Sequence, residues 1–214
     1  MPDPASWSMD APYYLAAIVL GYILGSIPFG LVLTKLSGLG DIRQIGSGNI
    51  GATNVLRTGR KDLAALTLLL DGGKGAAAAL LGGMYGPDIM VSAAFAAFIG
   101  HLFPVWLKFK GGKGVATYLG VLLGAAWPAG LFACATWLAV AVIFRYSSLA
   151  ALMAALATPV FTWFFVSPQV AELAGAMTVL VYIRHHENIA RLLRGEEPKI
   201  GKKKTSEDQA ATPQ

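Results

Sequence analysis

Charged residues are scarce in this chain: they make up 14% of 214 residues, against 55% that are hydrophobic. So little charge cannot cover an ordinary soluble domain, which points to a membrane protein built as a single embedded domain over residues 1–200. Cysteine is nearly absent. Cys134 stands alone, so no internal disulfide can form, a cysteine-based metal cluster is excluded, and a small core side chain is expected there. Neither a metal nor a cofactor is expected. The net charge of +5 does not point to nucleic acid, because the basic residues flank apolar runs and form no aromatic-interleaved face. Membrane lipid and small anionic substrates are the partners that such a distribution favours. The residues from 201 to 214 are polar and read as a disordered tail.

What fills the chain instead is a series of long apolar runs: Pro12 to Thr34, Leu63 to Met84, Ile89 to Leu107, Val115 to Phe144, Ser148 to Val166 and Val170 to Ile183. A bilayer core about 30 Å thick needs roughly 20 such residues in a helix. Val115 to Phe144 is too long for one straight span and carries Trp127-Pro128 near its middle, so it is expected to fold as two short helices turning at the proline. Asp71-Gly72-Gly73-Lys74 interrupts the second run and suggests that its embedded part begins near Lys74. The fold class expected is therefore an all-α integral membrane protein with seven transmembrane helices. With that count all 17 basic residues fall on one side, while Asp3, Asp10, Asp88 and Glu172 fall on the other. A cytoplasmic excess of lysine and arginine then puts the N-terminus outside and the C-terminus in the cytoplasm. The first run, with Gly25-Ser26-Ile27-Pro28 inside it, has no clear cleavage site and is expected to remain as the first helix.

Two loops on the basic side carry the chemistry. In Ile45 to Arg57, glycines at 46, 48 and 51 let backbone N–H groups converge on an anion, and Ser47, Asn49, Thr53 and Asn54 add neutral hydrogen bonds. Arg57 is suited to grip a phosphate with its planar fork, and a helix starting near Asn54 would present its positive end. In Lys108 to Thr117, Lys108, Lys110 and Lys113 alternate with Gly111, Gly112 and Gly114. This is a second anion cradle, but Gly114 follows Lys113 where a nucleotide-binding loop needs Ser or Thr. At the end of the last run, His185 and Asn188 share a face if the segment is helical, and His186 points about 100° away toward water. Two embedded polar groups are ambiguous. Lys74 either pairs with Asp71 or adds an anion contact, and His101 is either functional or a brace for the loop after it.

Ser47-Gly-Asn-Ile-Gly-Ala-Thr-Asn54, then Gly100-His-Leu-Phe-Pro104 leading into Lys110-Gly-Gly-Lys-Gly-Val-Ala-Thr117, then His185-His-Glu-Asn188 occur in this order. Together with Gly25 to Gly30, Asp71 to Gly75 and Arg145 to Ser148, they resemble the bacterial acyl-phosphate:glycerol-3-phosphate acyltransferases over nearly the whole chain up to about Lys199. The resemblance implies an inner-membrane enzyme that moves a fatty acyl group from acyl phosphate to glycerol-3-phosphate, giving lysophosphatidic acid and inorganic phosphate. Other glycerol-3-phosphate acyltransferases use a His-x4-Asp motif, and none occurs here: Trp106, Ala190 and Arg191 stand five residues after His101, His185 and His186.

Acyl phosphate is already an activated anhydride, so no protein nucleophile is required. The enzyme has to hold two phosphate-bearing molecules, align a hydroxyl with the acyl carbonyl and offset developing charge. Ser47, Arg57, Lys113 and His185 are the expected catalytic residues, and Asn49, Thr53, Asn54, Lys74, His101, Lys110 and Asn188 the expected substrate-binding ones. Either His185 or the departing phosphate accepts the proton, with the phosphate preferred because it adjoins the reacting carbon. The acyl tail is expected in a groove open to lipid, and the protein is expected to work as a monomer. Two rival classes remain open: an anion transporter, which would line a path through the bilayer with polar residues, and a scaffold acting through its basic tail.

Overall fold

Apolar runs bound for a bilayer must satisfy their own backbone groups within each segment, and helices do so. The computed structural model describes residues 7–201, and among these there is no strand. Asp3, the side chain of Asp10 and residues 202–214 of the expected tail lie outside the described residues. In order the helices are α1 (Trp7–Gly25), α2 (Phe29–Leu36), α3 (Ala52–Val55), α4 (Lys61–Gly83), α5 (Pro87–Leu102), α6 (Val115–Ala125), α7 (Trp127–Phe144), α8 (Ser147–Phe165), α9 (Pro168–Arg184) and α10 (His186–Leu193).

The long helices run alternately up and down. Tyr13, near the start of α1, lies 6.0 Å ring to ring from Tyr85 just past α4, and Gln169 at the start of α9 donates to Asp88 at the start of α5 at 2.6 Å. At the other end, the loops before α4, α6 and α8 meet the segment after α9. By length and composition five helices are apolar enough to cross a membrane: α1 together with α2 (Ala11–Leu36), α4, α5 with the turn after it (Pro87–Leu107), α7 and α8. Helix α6 has 11 residues, a length of about 16 Å at 1.5 Å per residue. Helix α9 has 17 residues.

Small residues set how closely these helices pack, since lipid tails supply no hydrophobic drive between them. A side chain at Gly21 or Gly25 of α1 would run into the Ala93 or Ala97 carbonyl of α5, and one at Gly120 of α6 into the Gly72 carbonyl of α4. Gly72, read in the sequence as part of an interruption, is thus a packing position inside an unbroken α4, while Gly73 faces open space. A second correction concerns the first run, which breaks at Ser26-Ile27-Pro28 into α1 and α2. The long fourth run does form two helices, but the chain turns at Ala126, whose backbone is extended (φ −159°, ψ 100°), and Pro128 sits in the first turn of α7. Proline is tolerated there because the first N–H groups of a helix have no partner within it.

Candidate active site

The loop between α2 and α4 is polar at its tip and apolar at its roots. Ile42, Ile50 and Val55 are 0%, 1% and 0% exposed and pack with Leu31, Leu63 and Ala64. Over this base, Asn54 organises the tip. Its Nδ2 donates to the carbonyls of Ile42, Ile45 and Asn49 at 3.0, 2.9 and 2.8 Å. Its Oδ1 accepts from the Ser47 N–H at 3.1 Å and from Arg57 Nη1 at 3.2 Å. Gly46 is required beneath this cluster: its φ is +59°, and a Cβ would lie 2.5 Å from Asn54 Oδ1 and 2.7 Å from Arg57 Cδ. The Ser47 hydroxyl and the Arg57 side chain remain at the surface of the loop. Thr53 Oγ1 lies 3.2 Å from Ser147 Oγ, which joins this loop to the start of α8.

The loop between α5 and α6 is held through its main chain. Gly111 N–H and Gly112 N–H donate to the carbonyls of Leu102 and His101, each at 3.1 Å. On the other edge, Arg184 Nη2 donates to the Gly111 carbonyl at 3.0 Å and Nε to the Gly112 carbonyl at 3.3 Å. Gly112 lies against the His101 ring so closely that a Cβ would overlap Nε2. Behind His101, Asp71 Oδ1 sits 3.7 Å from Nδ1, too far for a direct hydrogen bond. The same oxygen is 2.8 Å from Lys74 Nζ. Lys74 also donates to the Ile27 carbonyl at 2.7 Å, in the break between α1 and α2.

Lys113 leaves this loop toward the junction of α9 and α10, where its ammonium donates to Asn188 Oδ1. The helix does not run straight through that junction. His185 closes α9 with φ −103° and ψ 10°, and α10 starts at the next residue. Its ring is buried, with Nδ1 2.8 Å from the Val181 carbonyl. A carbonyl can only accept, so Nδ1 carries the proton and Nε2 keeps its lone pair. His186 is exposed, as the helical offset predicted. Beyond α10 the chain folds back and inserts Glu197, 8% exposed. Its Oε1 accepts from Asn188 Nδ2 and Ser148 Oγ, both at 2.6 Å, and its Oε2 from Arg191 Nε at 2.7 Å.

Charge binds these segments into one field. Arg57 and Lys113, from different loops, both feel Glu197 and Arg191. Burial lowers the Lys113 pKa, and the Arg191 cation lowers it further. Burial likewise pushes His185 down to about 4, with the Lys113 cation acting in the same direction. The ring is thus neutral near pH 7. Burial alone would raise the Glu197 pKa, but the donors Ser148, Asn188 and Arg191 hold the carboxyl below its usual value.

Ser47, Arg57, Lys113, His185 and Asn188 therefore meet at one end of the bundle, with Lys110 exposed on the rim of the second loop and Asn49 beneath the first. Three expected substrate contacts are buried and engaged within the fold. Asn54 is buried and its amide is taken up by the chain itself; Lys74, with a side chain 1% exposed, is held by Asp71 and Ile27; His101 is buried against Gly112. In this structure their polar groups are turned to the chain itself. The helix expected near Asn54 is only the four-residue α3, too short to present much of a dipole. The sequence reading missed the parts played by Arg184, Ser147, Ser148, Arg191 and Glu197. The serines, Arg184 and Arg191 stand in segments that the sequence singles out, but with no role given to them, and nothing in the spacing of Glu197 signals its return to Asn188.

An all-helical bundle with small-residue packing and two glycine-rich, cationic loops gathered at one end has the form of an integral membrane protein with a polar site at that end. A family model described as glycerol-3-phosphate acyltransferase matches residues 15–195. A glycerol-3-phosphate acyltransferase of Caulobacter vibrioides is 64% identical over 201 residues, covering 92% of each chain. One of Mesorhizobium japonicum is 61% identical over 189 residues, covering 88% of this chain and 97% of its own. Among solved structures, the glycerol 3-phosphate form of PlsY, an integral membrane glycerol 3-phosphate acyltransferase, superposes with a TM-score of 0.83 at 40% identity, over 88% of this chain and 96% of that one. The lysophosphatidic acid form of PlsY gives 0.81 at 38% identity, over 88% and 95%. The chain belongs to the glycerol-3-phosphate acyltransferase family.

Proposed function

We propose that the chain transfers a fatty acyl group from acyl phosphate to glycerol-3-phosphate, releasing lysophosphatidic acid and inorganic phosphate. Acyl transfer to glycerol-3-phosphate follows from the family. The choice of donor is supported by one feature: two separate loops carry Arg57 and Lys113, and both cations lie within electrostatic reach of Glu197 and Arg191. An acyl phosphate and glycerol-3-phosphate bring one phosphate for each. Arg57 and Ser47 bind one phosphate and Lys113, helped by Lys110, the other, with oxyanion or leaving-group charge offset between them. Asn188 aims Lys113, and Asn49 and Thr53 support the first loop. The substrate hydroxyl loses its proton to the departing phosphate, because His185 at about 4 is a poor base near neutral pH. The protein crosses the cytoplasmic membrane of a bacterium seven times through α1 with α2 and α4 to α9, with its N-terminus outside. The active site then faces the cytoplasm, the acyl tail runs into lipid, and a monomer suffices.

The decisive test uses purified protein with glycerol-3-phosphate and either acyl phosphate or acyl-CoA. Turnover with acyl phosphate and little with acyl-CoA is expected; preference for acyl-CoA overturns the choice of donor.

A further inference from the structure

The Gly111-Gly112 segment is gripped along both edges. Its N–H groups point to the end of α5 and its carbonyls to Arg184, the last residue of α9. Two consecutive carbonyls make an uncommon target for a side chain. A guanidinium meets them with two N–H groups fixed in one plane, whereas an ammonium is a point donor. The guanidinium carbon also lies 5.6 Å from the centre of the Phe103 ring, within cation–π range. Arg184 precedes His185 in the chain, and Gly112 precedes Lys113. One side chain therefore ties the loop that carries Lys113 to the junction that carries His185 and Asn188.

We infer that Arg184 is a positioning residue that sets Lys113 in register with His185 and Asn188 by clamping the Gly111 and Gly112 carbonyls. The inference rests on the reading that the Lys113 loop holds a phosphate. Without the clamp, the Gly111-Gly112 main chain is held by its N–H edge alone, and only the flexible Lys113 side chain, through Asn188, still ties the loop to the junction. Lysine at 184 keeps the cation over Phe103 but reaches one carbonyl at a time. The loss of the fork, and not of charge, is what the loop feels.

The test compares full-length wild type, R184K and R184M in lipid nanodiscs. Without substrate, amide exchange at Gly111 and Gly112 is expected to rise about tenfold or more in R184M and nearly as much in R184K. The KM for one phosphate substrate is expected to rise about tenfold in both variants while kcat stays within about threefold. R184K guards against general loss of folding, which its unfolding temperature reports. Unchanged exchange in R184M overturns the clamp. So does a wild-type KM in R184K with fast exchange, because Arg184 would then act through its charge on the ligand. Lys113→Met separates the underlying reading: wild-type KM for both substrates would remove the phosphate from this loop even where R184M loosens it.

Discussion

The loop from Ile45 to Arg57 and the loop from Lys108 to Thr117 look alike in sequence, each mixing glycine with cationic or hydrogen-bonding residues. Their supports differ. The first is anchored by apolar roots and tied at its tip by one side chain, Asn54, so its shape is encoded within a dozen residues. The second has no such internal tie. Its backbone is held by Leu102 and His101 on one side and by Arg184 on the other, and behind His101 stands the Asp71 and Lys74 pair. A self-contained loop tolerates change elsewhere in the bundle, whereas one held by three helices reports on their packing.

The contrast can be broken most severely from beneath the second loop. Lys74→Met leaves the buried Asp71 carboxylate without its cation, a loss of about 3–5 kcal/mol of stability; thermal unfolding in detergent should show it, with the first loop's support untouched. Asn54→Leu should cost about 3 kcal/mol, because several backbone groups of the first loop lose their partner at once. Activity should fall with it although the Asn54 amide is taken up by its own chain, and wild-type kcat/KM in this variant would show that the loop keeps its shape unaided. Lys113→Ala and Arg57→Ala test the tips themselves: each should lower kcat/KM more than tenfold, about 1.4 kcal/mol or more, and retention of a larger share removes that residue from the phosphate clamp.

His185 should matter less. His185→Ala is expected to lower kcat less than about tenfold, short of the 10²-fold or more of a general base. Abolished turnover with both substrates still bound would make the imidazole the proton acceptor. The pH dependence carries the same message. With its value lowered from 6.5 to about 4 in the fold, His185 binds more protons when unfolded, so its contribution lowers stability as pH falls through that interval and vanishes above it. A rising limb of kcat/KM centred near 6.5 is therefore not expected from this residue. The smallest effect belongs to the tail: removing everything after Gly201 should change kcat/KM less than about twofold, whereas lost function would favour a scaffold acting through its basic end.

Local pattern carried the reading furthest where a site is built from neighbours in the chain. Gly46, Ser47 and Arg57 lie within one loop, and His185 and Asn188 are three residues apart, so chemistry and spacing already pointed to them. Asn54 reads in the sequence as one of four neutral donors around an anion, and Lys74 and His101 stand between a structural role and a ligand contact. Whether such a group faces a substrate or its own chain depends on what the fold places against it. Arg184 and Glu197 looked like ordinary charges at the end of a helix, because their partners Gly111 and Ser148 are 73 and 49 residues away.

The order of apolar runs and the bias of cationic residues determined a helical membrane protein with its loops of interest on one face, since a bilayer admits few ways to bury such a chain. Glycine spacing and the type of polar residue marked those loops as candidates for binding an anion. The tertiary structure decided the continuity of α4, the break between α1 and α2, and which side chains brace the loops. Those outcomes depend on close approach between helices distant in sequence, where a missing Cβ at Gly120 or a carbonyl in reach of Arg184 has no counterpart in local pattern.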